Sequence, residues 1–296
     1  MSPPNNSFFS RRSLLAGGLA ATVALTGSAS AATARRKKTT PRRSPRSKIR
    51  VGLQLYSVRR ECQRDLAGVI AAVAKMGYEG VEFAGYYNHS AKDLRKMLDD
   101  NGLVCCGTHI SLDALLGDNL PTTIQFNKTL GNKYLVVSSL PAQYRSSRQA
   151  WLNTAKLFNK LAEQVKPHAM RVGYHNHSVE FKPIDGQIPW DIFCANTSND
   201  VIMQLDVGNA MHGGADPLPY IYRYPKRAIT VHVKEFSKTN NKALIGEGDV
   251  NWKAFFALCK AVGGTEWYIL EQESYVAPPL ECVERCLKNL RKMKLV

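Results

Sequence analysis

The 296-residue chain has seven cysteines but no Cys-x-x-Cys pair, so the sequence carries no dithiol redox motif and no paired-cysteine zinc pattern. Cys62, Cys105, Cys106, Cys194, Cys259, Cys282 and Cys286 read as buried thiols, and no disulfide is assigned among them. No apolar run reaches the roughly 20 residues that span a bilayer. The longest candidate, Leu14 to Leu25, is short and rich in Gly, Ala and Thr, so no stable membrane span is expected in the mature protein. No Gly-x-Gly-x-x-Gly turn follows the first strand pattern, which counts against a doubly wound dinucleotide fold. A glycine-rich phosphate loop is also missing. Acidic residues are absent from positions 1–48, where ten Lys and Arg occur; setting these aside lowers the formal net charge from +16 to +6 for residues 49–296. A nucleic-acid partner would need a basic patch on the domain itself, so none is expected.

The first 48 residues stand apart from the rest. Ser10-Arg11-Arg12-Ser13-Leu14-Leu15 precedes the apolar run, and Ala29-Ser30-Ala31 is a small-x-small cleavage site. Residues 1–31 therefore resemble a twin-arginine (Tat) export signal, and the mature chain is expected to start at Ala32, periplasmic or secreted. Residues 32–48 form a basic, Pro- and Ser-containing tether without apolar periodicity.

Residues 49–296 are long enough for one α/β barrel. Strand-like runs near 49–56, 79–84, 103–109, 134–139, 171–176, 201–206, 229–234 and 267–272 alternate with amphipathic runs near 62–76, 90–101, 112–130, 148–166, 189–197, 217–224, 251–262 and 279–293. The fourth helix has a clear stripe in Trp151, Ala155, Phe158, Leu161, Ala162 and Val165. Gly77, Gly102, Gly131 and Gly263 follow helices where a left-handed cap is wanted, and Pro189, Pro217 and Pro279 sit near helix starts. Eight such units predict a (β/α)8 TIM barrel, with its chemistry at the C-terminal ends of the strands.

Those ends are polar on every strand: Gln54 and Tyr56, Glu82, His109, Ser138 and Ser139, His175 and His177, Asp206, His232 and Lys234, and Glu271. Carboxylate and imidazole together suit a divalent metal such as Mn, Co, Zn or Fe. Singly, each has a plainer role: Asp206 as a helix cap, His232 as a hydrogen-bonded structural residue, Lys234 in an ion pair, and Glu247 as a turn residue.

Six segments carry a resemblance: Gly52-Leu-Gln-Leu-Tyr-Ser-Val-Arg59, Tyr174-His-Asn-His-x-x-Glu180-Phe, Leu205-Asp-Val-Gly-Asn209, Val231-His-Val-Lys-Glu235, Gly246-Glu-Gly-Asp-Val-Asn-Trp252 and Trp267-Tyr-Ile-Leu-Glu-Gln272. Together they resemble the sugar phosphate isomerase/epimerase family of the xylose isomerase-like TIM barrel superfamily. The resemblance implies a divalent metal held from strands 5 to 8, with Asp206, His232 and Glu271 carried over directly. Many relatives have Glu where this chain has His175. Either His175 is the strand-5 ligand or Glu180 reaches back from the next loop; ligand charge favours Glu180.

The implied chemistry is removal of a proton next to a sugar carbonyl, through an enediolate that the metal stabilises. Candidate bases are Glu180, Glu271, His175, His177 and Lys234. Candidate substrate contacts are Gln54, Tyr56, Glu82, His109 and His212, the last expected on the loop after strand 6. Reprotonation gives an isomerase or epimerase, and loss of a β-substituent gives a lyase. Export favours a non-phosphorylated sugar or keto-sugar, with a lyase on 3-keto-glycosides as one form. A non-catalytic sugar-binding barrel and an endonuclease IV-like DNA repair enzyme are the rivals; the export signal and modest domain charge argue against the second. The sequence leaves a homo-oligomer open.

Overall fold

The computed structural model describes residues 48–296. The expected export signal, residues 1–31, and all but the last residue of the expected tether lie outside the described residues.

All eight expected strands form, and all pair in parallel: β1 Arg50–Gln54, β2 Gly80–Ala84, β3 Val104–Ile110, β4 Tyr134–Val137, β5 Arg171–His175, β6 Ile202–Gln204, β7 Thr230–Val233 and β8 Trp267–Leu270. Their order is β6-β5-β4-β3-β2-β1-β8-β7. Across the remaining seam, Asp206 bridges His232 in parallel and the His232 N–H donates to the Leu205 carbonyl at 2.9 Å. The sheet is thus a nearly closed barrel, sealed between β6 and β7 by the segment that carries the site.

Among the described residues, ten α-helices surround it: α1 Arg59–Arg64, α2 Leu66–Met76, α3 Ala91–Asp100, α4 Asn119–Leu130, α5 Arg148–Val165, α6 Pro189–Asn196, α7 Val207–His212, α8 Leu218–Arg223, α9 Trp252–Leu258 and α10 Pro279–Lys292. Side-chain caps start several of them. Ser90 accepts from Asp93 N–H and Ser147 from Ala150 N–H. The expected helix at 62–76 is broken at Asp65, whose extended φ of −155° ends α1 and whose carboxylate caps α2. The expected helix at 112–130 begins only at Asn119, after a single 3-10 turn at Leu112–Leu115. Past α9 the chain widens into a π turn, so Gly264 (φ +69°), not Gly263, takes the left-handed position.

The barrel interior has two layers. At the N-terminal end Cys106, Tyr134, Ile202, Ile229, Trp267 and Ile269 pack together. Glycines on neighbouring strands leave them room: a Cβ at Gly80 would stand 2.9 Å from the Trp267 ring, and one at Gly52 2.6 Å from Cys106 Sγ. Polar side chains make up the layer above. Outside the barrel, Trp151, Phe158, Tyr174, Trp190 and Phe193 fill the space between β5 and helices α5 and α6. Phe158 meets Phe193 edge-on at 5.0 Å, a pairing worth about 0.5–1.5 kcal/mol beyond burial. Among the described residues, no helix is long and apolar enough to cross a membrane.

Candidate metal and active site

Strand alternation decides what enters the barrel. In β5, Tyr174 points outward into the aromatic layer and His175 inward. His175 pairs in register with Gln204 of β6. Two residues beyond Gln204, Asp206 points inward too, and His232 and Glu271 complete the group from the seventh and eighth strands. One ligand atom from each of His175, Asp206, His232 and Glu271 lies within 4.8 Å of the other three, and all four residues are buried. His109, His175 and His232 form a second, overlapping group.

Asp206 uses its oxygens differently. Oδ1 accepts from Asn209 N–H at 2.6 Å and so caps α7. Oδ2 is buried and has no hydrogen-bond partner. Leaving such an atom bare costs about 1–3 kcal/mol, more when it is charged, so it needs an account. A divalent cation supplies one: two carboxylates and two imidazoles are a fitting donor set, and their separations approach what one cation spans.

The charges agree. Burial lifts the Asp206 carboxyl to about 7 against the pull of Lys234, with Glu271 adding to the rise. At Glu271 burial also pushes upward, but Lys234 and His232 hold the group well below the usual range. His232 is pulled down by burial and raised more strongly by Glu82 and Glu271, to about 10. Burial, then His232 and His109, push His175 well below its ordinary value, so its ring is neutral and has a lone pair to give.

Behind the cluster lies a polar network. The Glu82 carboxylate is fully buried; Oε2 accepts from Gln54 Nε2 at 2.7 Å and faces His232 Nε2 at 2.6 Å, and Oε1 accepts from Gln204 Nε2 at 2.8 Å. Room for it comes from Gly107, where a Cβ would stand 2.5 Å from Glu82 Oε1, just past a β-bulge in the β2–β3 pairing. Gln204 also donates to Thr230 Oγ1 at 3.0 Å, and its Oε1 faces His109 Nε2 at 2.7 Å and His175 Nδ1 at 3.1 Å.

The structure redistributes several expected roles. Glu180, favoured from sequence as the strand-5 ligand, lies with the outward layer: Oε1 accepts from Tyr174 O–H and Oε2 from His177 N–H, both at 2.7 Å. His175 stands in the cluster instead. Glu82 and Gln54 are wholly buried behind the cluster rather than lining an open pocket. Tyr56 does not alternate with Gln54, because the chain turns into a 3-10 helix at Leu55–Val58; its ring is 41% exposed and lies under Arg59. His212 ends helix α7 instead of sitting on a loop, exposed, with its ring edge-on to Phe236 at 4.8 Å. His177 is exposed and edge-on to His175 at 5.0 Å. Lys234 lies between Glu271, at 3.6 Å, and Glu273.

Gln204, Glu235 and Asn176 are not candidates on sequence grounds, yet each holds the site in place. Glu235 accepts from Gly246 N–H, Trp252 Nε1–H and two further backbone N–H groups, pinning the loop that follows β7. Asn176 accepts from Asp206 N–H at 2.8 Å and fixes the seam. Each ends or follows a strand close to a candidate residue, which is the only cue the sequence offers.

A parallel (β/α)8 barrel with an imidazole–carboxylate cluster at its strand ends defines the class. The chain belongs to the xylose isomerase-like TIM barrel family, whose model matches residues 70–293. It is similar to a sugar phosphate isomerase/epimerase from Parabacteroides distasonis ATCC 8503, with 28% identity and a TM-score of 0.73 over 86% of this chain and 97% of that one. It is 22% identical over 258 residues to an inosose dehydratase from Clostridium botulinum (strain Alaska E43 / Type E3), over 72% of this chain and 84% of the relative. A probable 3-DHS dehydratase from Bacillus anthracis shares the fold at 15% identity and a TM-score of 0.60, over 82% of this chain and 99% of that one.

Proposed function

We propose that this protein is a divalent-metal-dependent enzyme that removes a proton next to the carbonyl of a sugar or keto-sugar, through an enediolate, as an isomerase or epimerase. The bare, buried Asp206 Oδ2 inside a cluster of four ligand residues carries the reading. His175, Asp206, His232 and Glu271 would hold the cation. When bound, it supplies polarisation of the carbonyl and stabilisation of the enediolate charge.

The chain's own groups divide the remaining work. His177 stands exposed beside His175 and is the side chain best placed to take a proton from a ligand above the cluster. Lys234, held between Glu271 and Glu273, donates to a substrate oxygen as charge builds on it. The inward walls exclude water: all four cluster residues are at most 5% exposed. The substrate is taken to be non-phosphorylated and met outside the cytoplasm, on the support of the twin-arginine motif and the missing phosphate loop.

A lyase is the second reading. Relatives named inosose dehydratase favour it, and so does the pairing of one acceptor, His177, with one donor, Lys234, in the segments that follow β5 and β7. One experiment separates the two. Metal-loaded protein is incubated with keto-sugars in D₂O and followed by NMR. Deuterium entering beside the carbonyl of a retained or epimerised sugar marks the isomerase; an unsaturated product marks the lyase. Binding of a sugar with neither change, at full metal loading, would leave a sugar-binding barrel.

A further inference from the structure

The polar network assigns the proton positions on the two histidines of the cluster. Glu82 is the origin. Nitrogens of Gln54, Gln204 and His232 converge on its two oxygens, within 2.6–2.8 Å. A carboxylate in such a position accepts only, so each neighbour must present hydrogen. His232 therefore keeps a proton on Nε2. Its other nitrogen, Nδ1, lies 3.1 Å from Glu271 Oε2 and 3.7 Å from Asp206 Oδ2, on the cluster side, so the proton it holds in the metal-free protein is the one a cation would displace.

The same rule runs through Gln204. Its amide must turn Nε2 towards Glu82, because the reverse orientation would set two acceptors 2.8 Å apart. Oε1 is thereby aimed at His109 and His175. Both rings must donate to it, which puts the His175 proton on Nδ1 and leaves Nε2 with the lone pair. Thr230 takes the second Gln204 N–H, so the amide has no unused hydrogen.

We infer that Glu82 is a positioning residue that sets both histidine tautomers, directly at His232 and through Gln204 at His175, so that one cation meets His232 Nδ1 and His175 Nε2. The inference rests on the metal reading above. It gives Glu82 and Gln204 a role that no contact with substrate requires.

The test is long-range ¹H–¹⁵N NMR of the full-length, histidine-labelled protein with and without Zn²⁺. Ligation should shift His232 Nδ1 and His175 Nε2, with His232 Nε2 and His175 Nδ1 remaining protonated. Metal on His175 Nδ1, or on His232 Nε2, overturns the inference while leaving the metal site standing. No Zn²⁺ bound by the parent overturns the metal reading and this inference with it. Glu82→Gln supplies a second, independent reading, since its amide would let Gln204 reverse. Co²⁺ affinity measured by calorimetry should fall about 10–100-fold, with the His175 proton moving to Nε2 in the spectrum. Thr230→Val, which removes a Gln204 partner without changing which atom must face Glu82, should stay within about threefold of the parent. Equal losses in both variants, with tautomers unchanged, would mark Glu82 as merely structural.

Discussion

His232 Nε2 lies 2.6 Å from Glu82 Oε2, and neither side chain is exposed to solvent. Removing Glu82 leaves His232 with Glu271 as its hydrogen-bond partner and strips the buried Gln54, Gln204 and His232 N–H groups of their acceptor. Glu82→Ala should lower stability by roughly 3–5 kcal/mol, read as a shift of the urea midpoint in metal-free protein. A loss under about 1 kcal/mol would mean that water or a neighbour replaces Glu82 readily.

Asp206 caps α7 through Oδ1, while the proposed ligand atom is its bare Oδ2, and an asparagine in its place would keep only the cap. Asparagine is as good an N-cap as aspartate, so Asp206→Asn should retain α7 and leave the metal-free melting temperature unchanged or slightly higher, since the variant no longer buries a carboxylate. Divalent metal affinity should drop at least about 100-fold, beyond the range seen for supporting residues alone. Melting several degrees earlier, with metal affinity intact, would reverse the two roles.

Metal binding should release protons. The folded, metal-free values of Asp206 and His232 are both raised, to about 7 and about 10. A raised value means stability that is present at low pH and lost as pH climbs: for Asp206 between the ordinary 3.8 and about 7, for His232 between 6.5 and about 10. The lowered values of Glu82 and Glu271 act oppositely, at the acid end. Both raised groups must lose their protons to ligate. From about pH 7.5 to 9.5 the apparent Co²⁺ affinity should therefore rise close to tenfold per unit, with about one proton released per ion in calorimetry across buffers of different ionisation enthalpy. A pH-independent affinity would contradict the assigned protonation.

On the proposed metal reading, His175 would set the metal preference. Two imidazoles and two carboxylates favour Zn²⁺ or Co²⁺ over Mn²⁺ more than one imidazole and three carboxylates would. His175→Glu should narrow the Zn²⁺-over-Mn²⁺ affinity ratio by at least about tenfold, measured by competition against a chelating dye. An unchanged ratio would place His175 outside the coordination sphere.

The eight strands are legible in the sequence because each is a short apolar run ending in a polar residue, and Asp206, His232 and Glu271 are legible as those endings. What the sequence conceals is local. Helix α7 is six residues long, too short for a periodic stripe, and is specified by the Asp206 cap. The Glu180 assignment rests on counting charge, whereas alternation along β5 sends Tyr174 outward and takes the Glu180 carboxylate with it. Tyr56 falls outside the expected pocket because Leu55–Val58 coils into a 3-10 turn that the apolar pattern of β1 does not announce. Gln204 carries only the cue of ending β6, since its type marks neither a metal ligand nor a base; its partners Glu82, His109, His175 and Thr230 lie on β2, β3, β5 and β7 and meet only in the barrel.

The most direct measurement is metal content of the purified full-length protein beside Glu180→Gln and His175→Ala. About one equivalent of Mn, Co, Zn or Fe in the parent and in Glu180→Gln, with loss in His175→Ala, is the expected result. No divalent metal in the parent after reconstitution, or loss in Glu180→Gln with retention in His175→Ala, would contradict the site described here.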